Sequence, residues 1–117
     1  MNEYYQPLTE DDVKRFSSSL DMSMLSRMIP LKSNIQNQIV NYLSEREKAC
    51  IINSQINEDV IIKLTSLASI YYNQSPDKTN LFILCMVIGT IIKEYEWGTY
   101  YITTEGVLKL SKLILSH

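Results

Sequence analysis

The chain has little of what most enzymes use for chemistry. Its one histidine is His117, the last of the 117 residues given, and a terminal side chain is a poor catalytic or metal-binding group. There are two cysteines, Cys50 and Cys85, and no Cys/His spacing of the zinc-binding kind. Glycine-rich phosphate loops and a GxSxG nucleophile turn are absent. Three glycines and three prolines leave room for few long irregular loops. The acidic runs Glu10-Asp11-Asp12 and Glu58-Asp59 are better explained as helix starts than as acid chemistry. Glu94 and Glu96 stand two apart and do not share a helical face. These absences point away from an enzyme and imply no cofactor and no metal.

Charge narrows the partners. The net charge is −2 and the sequence pI about 5.3. That balance disfavours nucleic acid and anionic lipid as general partners. The opening MNEYYQPLTEDD is polar and acidic, unlike a signal or transit peptide, so the expected location is cytoplasmic. Cys50 and Cys85 both sit in apolar helical patterns and read as small core residues, which fits a reducing compartment. The abundance of Ile, Asn, Ser, Lys and Tyr resembles an AT-rich coding bias of bacterial, viral or mobile-element kind.

What is present is helical. Thr9 caps a first helix, with Asp12 in the capping-box position and Val13, Phe16 and Leu20 at helical spacing. Asp21 caps a second, short helix carrying Met22, Leu25, Met28 and Ile29, which Pro30 ends. Ser33 opens a third, in which Ile35, Ile39, Leu43 and Cys50 form one stripe. Asn57 caps a fourth, buried through Val60, Leu64, Leu67 and Tyr71, with Tyr72 turned outward. Residues 73–77, Asn-Gln-Ser-Pro-Asp, read as loop, with Ser75 as N-cap and Pro76 at the first helical position of the fifth helix. Thr103 or Thr104 caps a last helix bearing Leu108, Leu110, Leu113, Ile114 and Leu115.

The fifth helix, about 76–96, is the centre of this reading. Leu81 to Ile92 is apolar, but only about 18 Å long as a helix. A membrane span needs about twenty residues, and Lys93, Glu94 and Glu96 follow at once. Ile88, Ile91, Ile92 and Tyr95 keep the 3.6-residue period. The expected fold is a single all-α domain over 1–117: a compact five- to six-helix bundle around this central helix. The alternative is a winged helix with a short β-wing at about 90–103.

Two short stretches resemble known families. TYYITTEGVLKLSKLI is similar to the end of a winged-helix repressor, through Tyr101, Ile102, Thr103, Gly106 and Leu110. That resemblance implies a DNA-binding regulator whose recognition helix is about 77–88, DKTNLFILCMVI. TNLFILCMVIGTIIKEYEWG resembles the central helix of the Bcl-2-like proteins of poxviruses, through Ile88-Gly89 and Trp97-Gly98. It implies a helical protein that acts by binding host proteins, without catalysis.

The functional expectation is therefore a small acidic protein that binds a partner protein, of inhibitor, immunity-protein or viral-effector type. The DNA-binding regulator is the alternative. Aromatic residues cluster at Tyr95, Trp97, Tyr100 and Tyr101, beside two acids. Tyr and Trp are enriched in interface hot spots and acids steer association. Glu94, Glu96, Trp97 and Tyr100 are the candidate partner-binding residues. A homodimer is compatible with this pattern.

Overall fold

The computed structural model describes residues 6–52, 58–95 and 103–116, with side chains for all of these except 50–52 and 93–95. The described residues form six α-helices and no strand: α1 Glu10–Ser18, α2 Met22–Tyr42, α3 Glu45–Ile52, α4 Glu58–Gln74, α5 Lys78–Tyr95 and α6 Thr104–Leu115. This is the expected helical bundle about a central helix, since α5 lies against every one of the other five.

The sequence of α5 explains its place. Leu81, Phe82, Ile83, Leu84 and Cys85 are consecutive, so they point round the whole helix, and each is no more than 2% exposed. Val87, Ile88 and Ile91 continue the pattern. A helix with no polar face is satisfied only when neighbours cover every side. Helix α5 passes Gly89 without a break, and Thr90 Oγ1 donates to the Met86 carbonyl. Residues 90–95 are therefore helix, and the winged-helix alternative is not supported. The proposed recognition helix is this buried element, with no face free to enter a groove. Residues 96–102, the remainder of the proposed wing, lie outside the described residues.

The outer helices start where local chemistry lets them. At α1, Asp12 N donates to Thr9 Oγ1 and Thr9 N donates to Asp12 Oδ2, a complete capping box. At α2, Asp21 Oδ1 accepts from Met24 N at 3.0 Å. At α6 the cap is Thr103, whose Oγ1 accepts from Gly106 N. Asn57, the expected cap of α4, lies outside the described residues.

Several boundaries differ from the sequence reading. Helix α2 runs straight through Pro30, so the expected second and third helices are one, with no new start at Ser33. Proline in a helix interior costs roughly 3 kcal/mol. Core packing on both sides of it, by Met24 before and Ile35 and Ile39 after, outweighs that cost. The real break falls at Leu43, whose backbone is extended. Ser44 and Glu47 then form a second capping box at the start of α3, with Ser44 N to Glu47 Oε1 and Glu47 N to Ser44 Oγ. The expected single stripe from Ile35 to Cys50 is thus divided between two helices.

At the other turn, Asn73 and Gln74 belong to α4, and the loop is only residues 75–77. Asp77, not Ser75, starts α5: its Oδ1 accepts from Thr79 N and its carbonyl from Leu81 N. Pro76 sits before the cap. In α4 the two tyrosines exchange roles. Tyr72 is buried and Tyr71 half-buried, because Val60, Leu64, Ala68 and Tyr72 form the i+4 ridge that faces the core.

Polar ties fix the ends of the bundle. Lys78 at the start of α5 reaches Asp12 of α1 at 2.8 Å, and Arg15 pairs with the other oxygen of Asp12. The rings of Phe16 and Phe82 lie beside them, 5.4 Å apart. Buried Ser111 of α6 accepts from Leu8 N and donates to the Leu108 carbonyl, holding the segment before α1 onto α6.

Candidate functional site

The aromatic edge read from the sequence falls largely outside what the structure describes. Glu94 is in the last turn of α5. Its side chain, and all of Glu96, Trp97 and Tyr100, lie outside the described residues. A different surface emerges on α2.

Helix α2 has apolar residues on two bearings. Met24, Ile35 and Ile39 are buried, with Met28 and Leu31 packed partly against the core. Met22, Leu25, Ile29 and Val40 are not: they are 76%, 44%, 69% and 61% exposed. Positions 22, 25 and 29 follow the i, i+3, i+7 spacing, and 40 lies about five whole turns beyond 22. The four residues therefore share one line along the helix, open to solvent. Between Met22 and Tyr42 the helix carries Arg27 and Lys32 and no carboxylate. In a chain of net charge −2, α2 is a locally cationic element.

A second feature lies on another flank of α2. A groove of about 390 Å³ opens where α2, the end of α4 and the start of α5 meet. Arg27, Pro30 and Leu31 form one wall. Ile83 and Leu84 of α5 form the floor, and Tyr71, Ser75 and Asn80 close the far side. Tyr71 Oη accepts from Gln38 Nε2, and Asn80 Nδ2 donates to both the carbonyl and the hydroxyl of Ser75.

The titratable groups with displaced pKa values serve the scaffold. The Lys78 ammonium, hydrogen-bonded to Asp12, lowers that carboxyl to about 2; burial opposes the shift and the Thr9 backbone N–H adds to it. Glu47 is likewise lowered to about 2, first by Lys63 and then by the Ser44 cap. Lys63 Nζ is 2.6 Å from Glu47 and also lies over the Tyr42 ring, tying α3, α4 and the end of α2 together. Cys85 is buried, and burial pushes its thiol far up. A thiol so placed is inert. Among the described residues no three His, Cys, Asp or Glu side chains come together as metal ligands would, and no helix is long and apolar enough to cross a membrane.

No protein-family model, curated protein or solved structure matches the chain.

The sequence held signals for both α2 features. Met22, Leu25 and Ile29 were visible as an apolar set, but their spacing says only that they share a face. It does not say whether another helix covers that face. The groove needs residues from three elements, which no local pattern reports.

Proposed function

We propose that this protein acts without catalysis, by binding a partner protein through the exposed line of α2. One observation carries the reading. Met22, Leu25, Ile29 and Val40 stay in water on a helix whose other side is already committed to the core. Met22, Leu25 and Ile29 form a contiguous exposed apolar strip, with Val40 further along the same line, and such surface is expensive in solubility and marks interaction sites. The edge formed by Glu94, Glu96, Trp97 and Tyr100 is proposed, on sequence grounds, as a second contact. An inhibitor, immunity or viral-effector role is the class of activity that suits such a protein.

Photo-crosslinking tests the proposal. A benzophenone side chain placed at Ile29 or Val40, in the cells that make the protein, should give one discrete adduct. The same group at exposed Lys14 of α1 should not. Unlabelled wild-type protein should compete the adduct away, and an Ile29→Asp variant should not. An identical pattern from positions 14 and 29 would remove α2 from the interface.

A further inference from the structure

We propose that the groove between α2, α4 and α5 is a binding site for a small organic monoanion: a carboxylate on a short apolar body, of medium-chain fatty-acid kind. The site is independent of the exposed α2 line, and three observations lead to it.

The first is size. A volume of about 390 Å³ lies within the 300–1,000 Å³ typical of small-molecule sites. Eight of the described residues line the groove, against about 20–30 a side in a protein interface. The footprint suits a small ligand better than a folded partner.

The second is lining. The floor is Ile83 and Leu84, and the walls are the Leu31 side chain, the Pro30 ring and the Tyr71 ring. Pro30 also has no N–H to present there. An apolar body fits this lining.

The third is charge. Among the described residues no carboxylate lines the groove. Arg27 is exposed at its rim, and among the described residues it makes no ion pair or hydrogen bond. A guanidinium offers a forked pair of donors matched to a carboxylate. The Tyr71 hydroxyl accepts from Gln38, which leaves its own O–H to donate. Asn80 already spends its amide N–H groups on Ser75. The donors left over are those of one cation and of the Tyr71 and Ser75 hydroxyls, which is enough for one carboxylate.

The test is a titration of the full chain with decanoate, decylamine and 1-decanol below their aggregation concentrations, followed by methyl NMR of Ile and Leu. Decanoate should give saturable shifts at Leu31, Ile83 and Leu84, and decylamine should bind at least about tenfold more weakly. Arg27→Gln should weaken decanoate about tenfold, the worth of one charge-assisted hydrogen-bond pair, and should erase its advantage over decanol. Lys14→Gln should change nothing. Arg27 is exposed, so an unchanged melting curve will show that the variant folds. Absence of saturable shifts, shifts centred on Met22, Leu25 and Ile29, equal binding of the amine, or an unaffected Arg27→Gln would each overturn the site. So would exclusive occupation of the groove by an acidic amphipathic peptide, or by a second copy seen as a dimer in sedimentation.

Discussion

Helices α2 and α5 are similar in length, 21 and 18 residues, and they pack on each other, yet their apolar residues meet different fates. Those of α5 are buried on nearly every side, with Met86 and Ile92 partly so. Those of α2 divide into a buried line and a bare one. The cause is position rather than residue type, for Ile83 and Ile29 differ only in how many helices stand round them. Five neighbours stand round α5 and leave only a narrow, partly exposed line through Met86 and Thr90. Helix α2 lies at the margin, where α4 and α5 cover one side and water the other. An apolar residue at the centre of a bundle is therefore evidence of fold, while one at its margin is evidence of something the fold leaves undone.

The largest effect should come from emptying the centre. Phe82→Ala should cost about 3–5 kcal/mol in urea unfolding, because a buried ring leaves a cavity. Ile29→Ala on α2 should stay within about 0.5 kcal/mol, as surface changes do. Equal costs at the two positions would break the comparison.

Pro30 gives the next effect, with the opposite sign. Pro30→Ala restores a backbone donor in the middle of α2 and should raise stability by up to about 3 kcal/mol. A drop instead would show that the ring contributes more by packing in its groove than it costs the helix.

Asp12 sharpens the picture of how α5 is held. Its folded pKa of about 2 lies below the ordinary value of 3.8. The stabilisation is therefore fully present above about pH 4, and it is lost as pH falls through about 2. Asp12→Asn should cost about 2–3 kcal/mol at pH 7, from a shift of nearly two units at about 1.4 kcal/mol each. The gap between variant and wild type should close as the pH falls from 4 to 2. Glu47 titrates over the same range in both proteins, so the difference isolates Asp12. A gap as wide at pH 2 as at pH 7 would mean that the ion pair with Lys78 is not its source.

The smallest effect concerns reactivity rather than stability. In a Cys50→Ser background, Cys85 should resist a thiol reagent in the native protein and react at the rate of global opening. Rapid labelling would place α5 nearer the margin than its burial implies.

Much of the helical plan was legible because its signals are local. Thr9 with Asp12, Asp21 and Thr103 each announce a helix start through a side chain that reaches its own backbone. Ser44 and Glu47 carry the same capping-box signal, but the apolar spacing of Ile39, Leu43 and Cys50 runs across it and conceals the break. Pro30 misleads in the other direction. Its local preference is to end a helix, and the core contacts of Met24, Ile35 and Ile39 override it. The α4 tyrosines were undecidable by period alone, since Leu64 predicts position 71 and Ala68 predicts 72 equally well. The candidate edge at Glu94, Glu96, Trp97 and Tyr100 rests on composition, and the described residues do not reach most of it.

By itself the sequence determined that the chain is mainly helical, that residues 81–92 are too short to span a membrane, and that the apolar run from Leu81 must be enclosed. Those outcomes follow from hydrogen bonding and apolar area within one segment, and they hold whatever the neighbours are. Only the tertiary structure decided which apolar line of α2 is covered, which tyrosine of α4 is buried, and where Arg27 meets an apolar groove. Each of these depends on which helix occupies a given side, and burial is a property of the packed pair rather than of either sequence.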